Sequence, residues 1–150
     1  MSHNFVKHTA KDEFLIDLAK ELGKHDAEEQ AGRIVIIFFR TLQNHLTLLE
    51  NFQLIALLPI ELRGLYIDQW KFSQEHSRIR TICTFIDEMM KADSVSGWKF
   101  FHNREDVFTT SRTIFKMLTK HISEGEPSDL AAILPRHIKE FLLSEIRERV

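Results

Sequence analysis

The chain has 150 residues, of which 43% are hydrophobic and 28% are charged, and this composition is typical of a folded globular domain. Its formal net charge of −2 at pH 7 lacks the basic excess that neutralises phosphates, so we expect no nucleic-acid partner. The single cysteine, Cys83, rules out an intrachain disulfide, and no signal peptide or membrane span is predicted. We therefore expect a soluble, cytoplasmic protein.

The scarcity of helix breakers predicts an all-α fold. Only 5 glycines and 3 prolines occur, and long stretches contain neither residue. The first predicted helix is capped by Thr9, reaches Leu22 and is closed by Gly23, a residue that readily adopts the left-handed conformation of a helix end.

The apolar run 34–39 is the one segment with the character of a β-strand. However, apolar residues continue beyond it at steps of three and four, as on one face of a helix. Asp26 followed by Glu29 also matches a capping box. We therefore predict a helix over about 27–46, with the apolar run in its middle.

Six further helices are predicted, and prolines locate three of their starts. Proline suits the first turn of a helix, and the residue before it is pushed out of the α region. In chain order the helices are expected at about 50–57, from Pro59 to about Trp70, from Ser73 or Ser77 to a break at 93–97, from a cap at Asn103 to His121, from Pro127, and from Pro135.

An internal repeat constrains the fold further. With a shift of 76 residues, 29–66 aligns with 105–142 without a gap, and 9 of the 38 pairs are identical, whereas about 2 are expected by chance. At a shift of 71, residues 14–18 match 85–89. We predict one compact domain, 1–150, built from two four-helix repeats at about 9–70 and 74–149 that pack with pseudo-twofold symmetry.

Two segments resemble the hallmarks of a known family. Residues 58–66, followed by Trp70, are similar to the first-half hallmark of the bacterial domain of unknown function 2267 family, and residues 121–135 are similar to the second-half hallmark. Gln69 departs from the pattern, which usually has glycine before the tryptophan. The resemblance spans roughly 14–143 and implies a duplicated helical domain with no established activity.

The aligned repeats differ in polarity at several positions. The first copy is apolar over 34–37, where the second copy has Thr, Ser, Arg and Thr. Leu48 and Phe52 likewise correspond to Glu124 and Ser128. We expect 34–37 to be buried by the other repeat, since leaving such side chains in water is costly. Leu48 and Phe52 are expected to stay exposed, as a contact patch for a partner or a second copy.

Arg63, Tyr66 and Trp70 form a second candidate site, because their spacing places them along one helix face. A guanidinium beside two aromatic rings could stack a planar ligand or hold an anion in a groove between the repeats. The alternative is that the aromatics seal the join between the repeats while Arg63 pairs with a carboxylate.

No metal, cofactor or catalytic signature is recognised. The 8 histidines include no metal-binding motif, and no nucleophile elbow or glycine-rich phosphate loop occurs. His45 and His121, which are equivalent in the repeat, are expected to cap the carbonyls at their helix ends. Cys83 is expected to be buried on an apolar stripe.

Three hypotheses for the function remain. The first is a non-catalytic interaction or scaffold module. The second is a ligand-binding regulatory domain that uses the groove near Arg63, Tyr66 and Trp70. The third is an enzyme whose site has no sequence signature, and neither a metal nor a cofactor is expected.

Overall fold

The computed structural model describes residues 10–23, 28–68, 70, 81–122 and 127–142. Within these ranges all regular structure is helical. The helices are α1 (Ala10–Glu21), α2 (Glu28–His45), α3 (Leu48–Leu57), α4 (Ile60–Asp68), α5 (Ile82–Ser96), α6 (Arg104–Lys120), α7 (Pro127–Ala132) and α8 (Arg136–Leu142). We refer to α1–α4 as the first half and to α5–α8 as the second half.

The run 34–39 lies inside α2, as predicted, and no strand occurs among the described residues. Ile34, Val35 and Ile37 are buried, which confirms the expectation that this apolar surplus is covered. Part of the cover comes from the other half, because α2 packs against α5 as well as against α1 and α4.

Local capping chemistry sets several helix ends. The Thr47 hydroxyl accepts a hydrogen bond from the Glu50 amide while the Glu50 carboxylate accepts one from the Thr47 amide, so α3 begins with a complete capping box. Asn103 caps α6 as predicted. Gly23 follows α1 with φ +75°, a conformation that side-chain-bearing residues rarely adopt.

The start of α5 differs from the prediction. The helix begins at Ile82, because Thr81 has an extended backbone and forms a reciprocal capping box with Thr84. The starts proposed at Ser73 or Ser77 lie outside the described residues, as do Thr9 and the predicted cap Asp26.

The far end of α5 also differs from the prediction. The helix continues through Asp93 to Ser96 and ends at Gly97, whose φ is +79°. The buried Asp93 carboxylate accepts hydrogen bonds of 2.9 Å from the backbone N–H groups of Phe100 and Phe101. Asp93 therefore fixes the loop between α5 and α6 and does not interrupt the helix.

Cys83 is exposed, so the prediction of a buried thiol was wrong. The buried stripe of α5 consists of Phe85, Ile86 and Met89. Cys83 shares the outer face of the helix with Asp87, four residues later, which is also exposed.

The packing of the two halves is crosswise. Helix α2 contacts α5, and α6 contacts α1, so each long helix lies against the first helix of the other half. Helices begin 76 residues apart at Glu28 and Arg104, and again at Ile60 and Arg136. These starts agree with the predicted register, and the superposition of the two halves by a pseudo-twofold axis stays a prediction.

Candidate functional site

Arg63 and Tyr66 lie on α4, which forms a helical hairpin with α3. Trp70 lies two residues beyond the end of α4, so the prediction that one helix face carries all three residues was wrong. Leu58 has an extended backbone, as expected of a residue before proline, and helix α4 starts directly after Pro59. Arg63 reaches back across this turn and donates hydrogen bonds of 2.9 Å to the carbonyls of Leu58 and Ala56. The guanidinium therefore caps the carboxyl end of α3, and the carboxylate partner considered from the sequence was wrong.

Tyr66 lies in the interior of the first half. Its hydroxyl donates a hydrogen bond to the side-chain carbonyl of Asn51, and its ring packs edge-on against Phe39 with the centroids 5.0 Å apart. The Asn51 amide donates in turn to the carbonyl of Thr47, 3.0 Å away. Burial raises the pKa of Tyr66 far above its usual range, because a phenolate would lose its hydration.

Trp70 connects this interior to the surface. Its ring lies 6.3 Å from Tyr66 and 5.5 Å from Phe52, measured between centroids. Its backbone N–H donates a hydrogen bond of 3.0 Å to the carbonyl of Ile67. These two ring contacts of Trp70 are made with α3 and α4 of its own half, and Tyr66, being fully buried, offers no open face for stacking.

Three cavities of the described chain lie away from Arg63, Tyr66 and Trp70. One of about 310 Å³ is lined by residues of α5, α6 and α8, and a second of about 400 Å³ lies between α2 and α5. The third, of about 290 Å³, lies beside the loop between α5 and α6. A ligand role for the three residues stays a prediction.

The outer surface of the hairpin is apolar. Five large apolar side chains are exposed there, and we call them the apolar face. They are Leu48 (48% exposed), Leu49 (66%), Phe52 (49%), Ile60 (71%) and Ile67 (39%). Phe52 of α3 packs against Trp70, whose backbone N–H donates a hydrogen bond to the carbonyl of Ile67 in α4. The predicted exposure of Leu48 and Phe52 is confirmed, and their role as a contact patch stays a prediction.

The second half carries charge at the corresponding positions of its last helix. Ile60 aligns with Arg136 and Gly64 with Glu140. Nε of Arg136 donates a hydrogen bond of 3.0 Å to Oε1 of Glu140, and both side chains are more than half exposed. The same helix surface is therefore solvated by an ion pair in one half and left apolar in the other.

His45 belongs to a partly buried cluster that the sequence analysis missed. Its ring is fully buried, with Nε2 2.6 Å from Oε2 of Glu88 and Nδ1 3.0 Å from Nε2 of His137. In the neutral tautomer of His45 that donates from Nε2 to Glu88, Nδ1 is the acceptor for the ring N–H of His137. The capping role predicted for His45 was wrong, because its ring nitrogens bind these side chains from α5 and α8.

His121 makes a looser version of the same contacts. Its ring packs edge-on against Phe14 at 5.5 Å, as that of His45 packs against Phe85 at 5.2 Å. Its Nε2 lies 3.9 Å from Oδ2 of Asp17. The ring of His121 therefore faces α1. These contacts join it to side chains and not to the backbone carbonyls that it was predicted to cap.

The alignment of the repeats contained a signal for these two clusters. At the 71-residue shift Asp17 corresponds to Glu88 and Phe14 to Phe85, while His45 and His121 correspond at the 76-residue shift. A histidine, a carboxylate and a phenylalanine are thus present twice at matching positions. Each histidine meets the other two residues across the boundary between the halves, as crosswise packing requires.

The described residues hold no group of three or more His, Cys, Asp or Glu side chains that could bind a metal ion. In the same part of the chain, no helix has the length and apolar character needed to cross a membrane.

The family model described as uncharacterized conserved protein DUF2267 matches residues 11–141, and the chain belongs to this family. No curated protein matches the sequence. The family description states no activity, so the function must be argued from the surface of the molecule.

Proposed function

We propose that this protein is a cytoplasmic, non-catalytic interaction module that binds a protein partner through the apolar face of α3 and α4. The observation that carries the proposal is the exposure of Leu48, Leu49 and Phe52 on α3, together with Ile60 and Ile67 on α4. Several large apolar side chains exposed on neighbouring helices are typical of binding surfaces.

The contrast between the halves supports the proposal. Ile60 and Arg136 occupy aligned positions directly after a proline, and both are strongly exposed. A charged residue is therefore compatible with this position in the second half. The exposed isoleucine of the first half leaves most of its apolar surface in water. A partner that covers Ile60 supplies the burial that the chain itself does not.

The hairpin beneath the face is rigidly built. Arg63 ties α4 to the carboxyl end of α3, and Tyr66 ties α4 to Asn51. Gln43 of α2 donates a further hydrogen bond of 2.7 Å to the carbonyl of Tyr66. A surface held in place by buried hydrogen bonds loses little conformational entropy on binding, which favours affinity.

The test replaces two residues of the face by those of the second repeat, Leu48→Glu with Phe52→Ser. We expect this variant to lose partner capture from native cell extract, or the wild type's assembly in solution, while keeping its helical circular dichroism. A matched control is Lys116→Glu, which alters an exposed residue of α6 and should leave capture unchanged. Unchanged capture and mass in the double variant would contradict the proposal.

The ligand-binding alternative has a separate readout. A ligand held near Arg63, Tyr66 and Trp70 would raise the melting temperature of the protein in a metabolite panel, because it binds only the folded state. We expect no such shift, since Tyr66 is buried and Arg63 is engaged with backbone carbonyls.

A further inference from the structure

The outer surface of α4 contains a notch between two exposed isoleucines. Ile60, Gly64 and Ile67 follow one another at i, i+4 and i+7, so they lie along one stripe of the helix. Both isoleucines are exposed, and a Cβ atom added at Gly64 would meet nothing within 4 Å. The stripe is therefore an apolar ridge with a gap the size of a side chain.

In the part of the chain that the structure describes, neither packing nor backbone conformation requires glycine at this position. Gly64 lies in the middle of α4 with helical geometry, where alanine would make a more stable helix. Gly23 and Gly97, in contrast, adopt positive φ angles at helix ends. An exposed glycine that weakens its own helix is explained if another molecule approaches the helix closely there.

The rim of the stripe is acidic. Glu61 and Asp68 are exposed, and their i, i+7 spacing places them along the same edge of the stripe. The remaining acid of the hairpin is Glu50, and its only basic residue, Arg63, is bound to the carbonyls of α3. A second copy docked on this stripe would bring like charges together, whereas a basic partner would be attracted.

We propose that the apolar face binds an amphipathic helix of another protein, which seats a large apolar side chain over Gly64 and places lysine or arginine beside Glu61 and Asp68. The proposal rests on the function proposed above and identifies the kind of partner. Docking of a helix by its apolar side chains against a hydrophobic surface is a common mode of recognition. The notch fixes the register of the incoming helix, and the acidic edge fixes its direction.

The test measures the binding of two synthetic amphipathic helices by fluorescence anisotropy. Both peptides carry the same leucine stripe, flanked by lysine in one and by glutamate in the other. We expect the lysine peptide to bind the wild-type protein more tightly than the glutamate peptide by about tenfold or more. Equal affinities would overturn the assignment of a basic partner.

Two variants separate specific docking from general attraction. Ile60→Arg with Gly64→Glu copies the ion pair of the second half and leaves the net charge unchanged, and we expect it to weaken lysine-peptide binding by about tenfold. Gly64→Ala fills the notch. It should raise the melting temperature and yet weaken binding, a combination that structural damage does not produce. Unchanged affinity in both variants would overturn the proposal.

The outcomes also separate this proposal from the function on which it rests. If neither peptide binds but Leu48→Glu with Phe52→Ser abolishes a concentration-dependent dimer in sedimentation, the occupant is a second copy. The interaction role then stands and the helical partner is wrong. If the peptides fail and the double variant changes neither mass nor capture, both proposals are wrong.

Discussion

Helices α4 and α8, whose sequences align at a shift of 76 residues, differ in the residues that they expose. Both begin directly after a proline, and both bury residues against the long helix of their own half, as Leu62 and Ile138 illustrate. Their outer surfaces differ, because α8 carries the ion pair of Arg136 and Glu140 where α4 carries Ile60 and Gly64. The buried face of such a helix is thus constrained by folding, whereas the outer face is free to acquire a function.

The two histidine clusters show a second difference between the halves. The His45 ring is fully buried with a 2.6 Å contact to Glu88, whereas His121 is partly exposed and 3.9 Å from Asp17. In addition, Nδ1 of His45 lies 3.0 Å from Nε2 of His137. The same three residue types therefore contribute to stability very unequally in the two places.

The largest expected effect concerns these histidines. His45→Ala should lower the free energy of unfolding by about 3 kcal/mol, because it removes a buried ring and its hydrogen bonds to Glu88 and His137. His121→Ala should cost less than about 1 kcal/mol, since its ion pair is long and partly exposed. Urea denaturation of the two variants measures the difference, and equal losses would remove the distinction between the clusters.

The polar interior of the first half predicts a pH dependence. Tyr66 has a raised pKa in the folded protein, so the unfolded chain loses its phenolic proton first. The contribution of Tyr66 to stability is therefore fully present below pH of about 10, and it is lost by about 1.4 kcal/mol per pH unit above that value.

Tyr66 is the only tyrosine of the chain, which makes this prediction easy to follow. Tyrosinate absorbance should appear together with the loss of helical circular dichroism, and Tyr66→Phe should show a shallower alkaline loss of stability. Ionisation of the phenol at pH of about 10 in a protein that keeps its helical signal would show that Tyr66 is accessible to water.

Much of the helical architecture was predictable because its determinants are local. The periodicity through 34–39 placed that run in α2, and Pro59, Asn103 and Pro135 marked helix starts within one residue. The start of α5 was placed too early because serines and threonines are all potential caps. Only the reciprocal pair Thr81 and Thr84 shows which of them caps α5.

The site was predictable only where the two repeats could be compared. That comparison predicted that Leu48 and Phe52 are exposed. The pairs Ile60/Arg136 and Gly64/Glu140 show the same loss of charge in the first repeat, and they were not among the positions that the sequence analysis singled out. The partners of His45 and the exposure of Cys83 depend on which helices pack across the halves. Periodicity within one helix does not determine that packing.

The free energy of unfolding of a fourfold variant shows whether the apolar face is needed for folding. Leu48→Glu, Phe52→Ser, Ile60→Arg and Gly64→Glu together convert the apolar face to the residues of the second repeat. Glutamate favours a helix more than glycine does, but Phe52 is half-buried against Trp70, so we expect a loss of no more than about 2 kcal/mol.

The reference variant for this measurement is Leu54→Ala, which truncates a fully buried side chain of the same hairpin and should cost about 2–5 kcal/mol. We expect the fourfold variant to lose much less free energy of unfolding than Leu54→Ala, which would show that folding does not require the apolar face. If the fourfold variant loses as much stability as Leu54→Ala, the face is part of the hydrophobic core, and the account of a binding surface is contradicted.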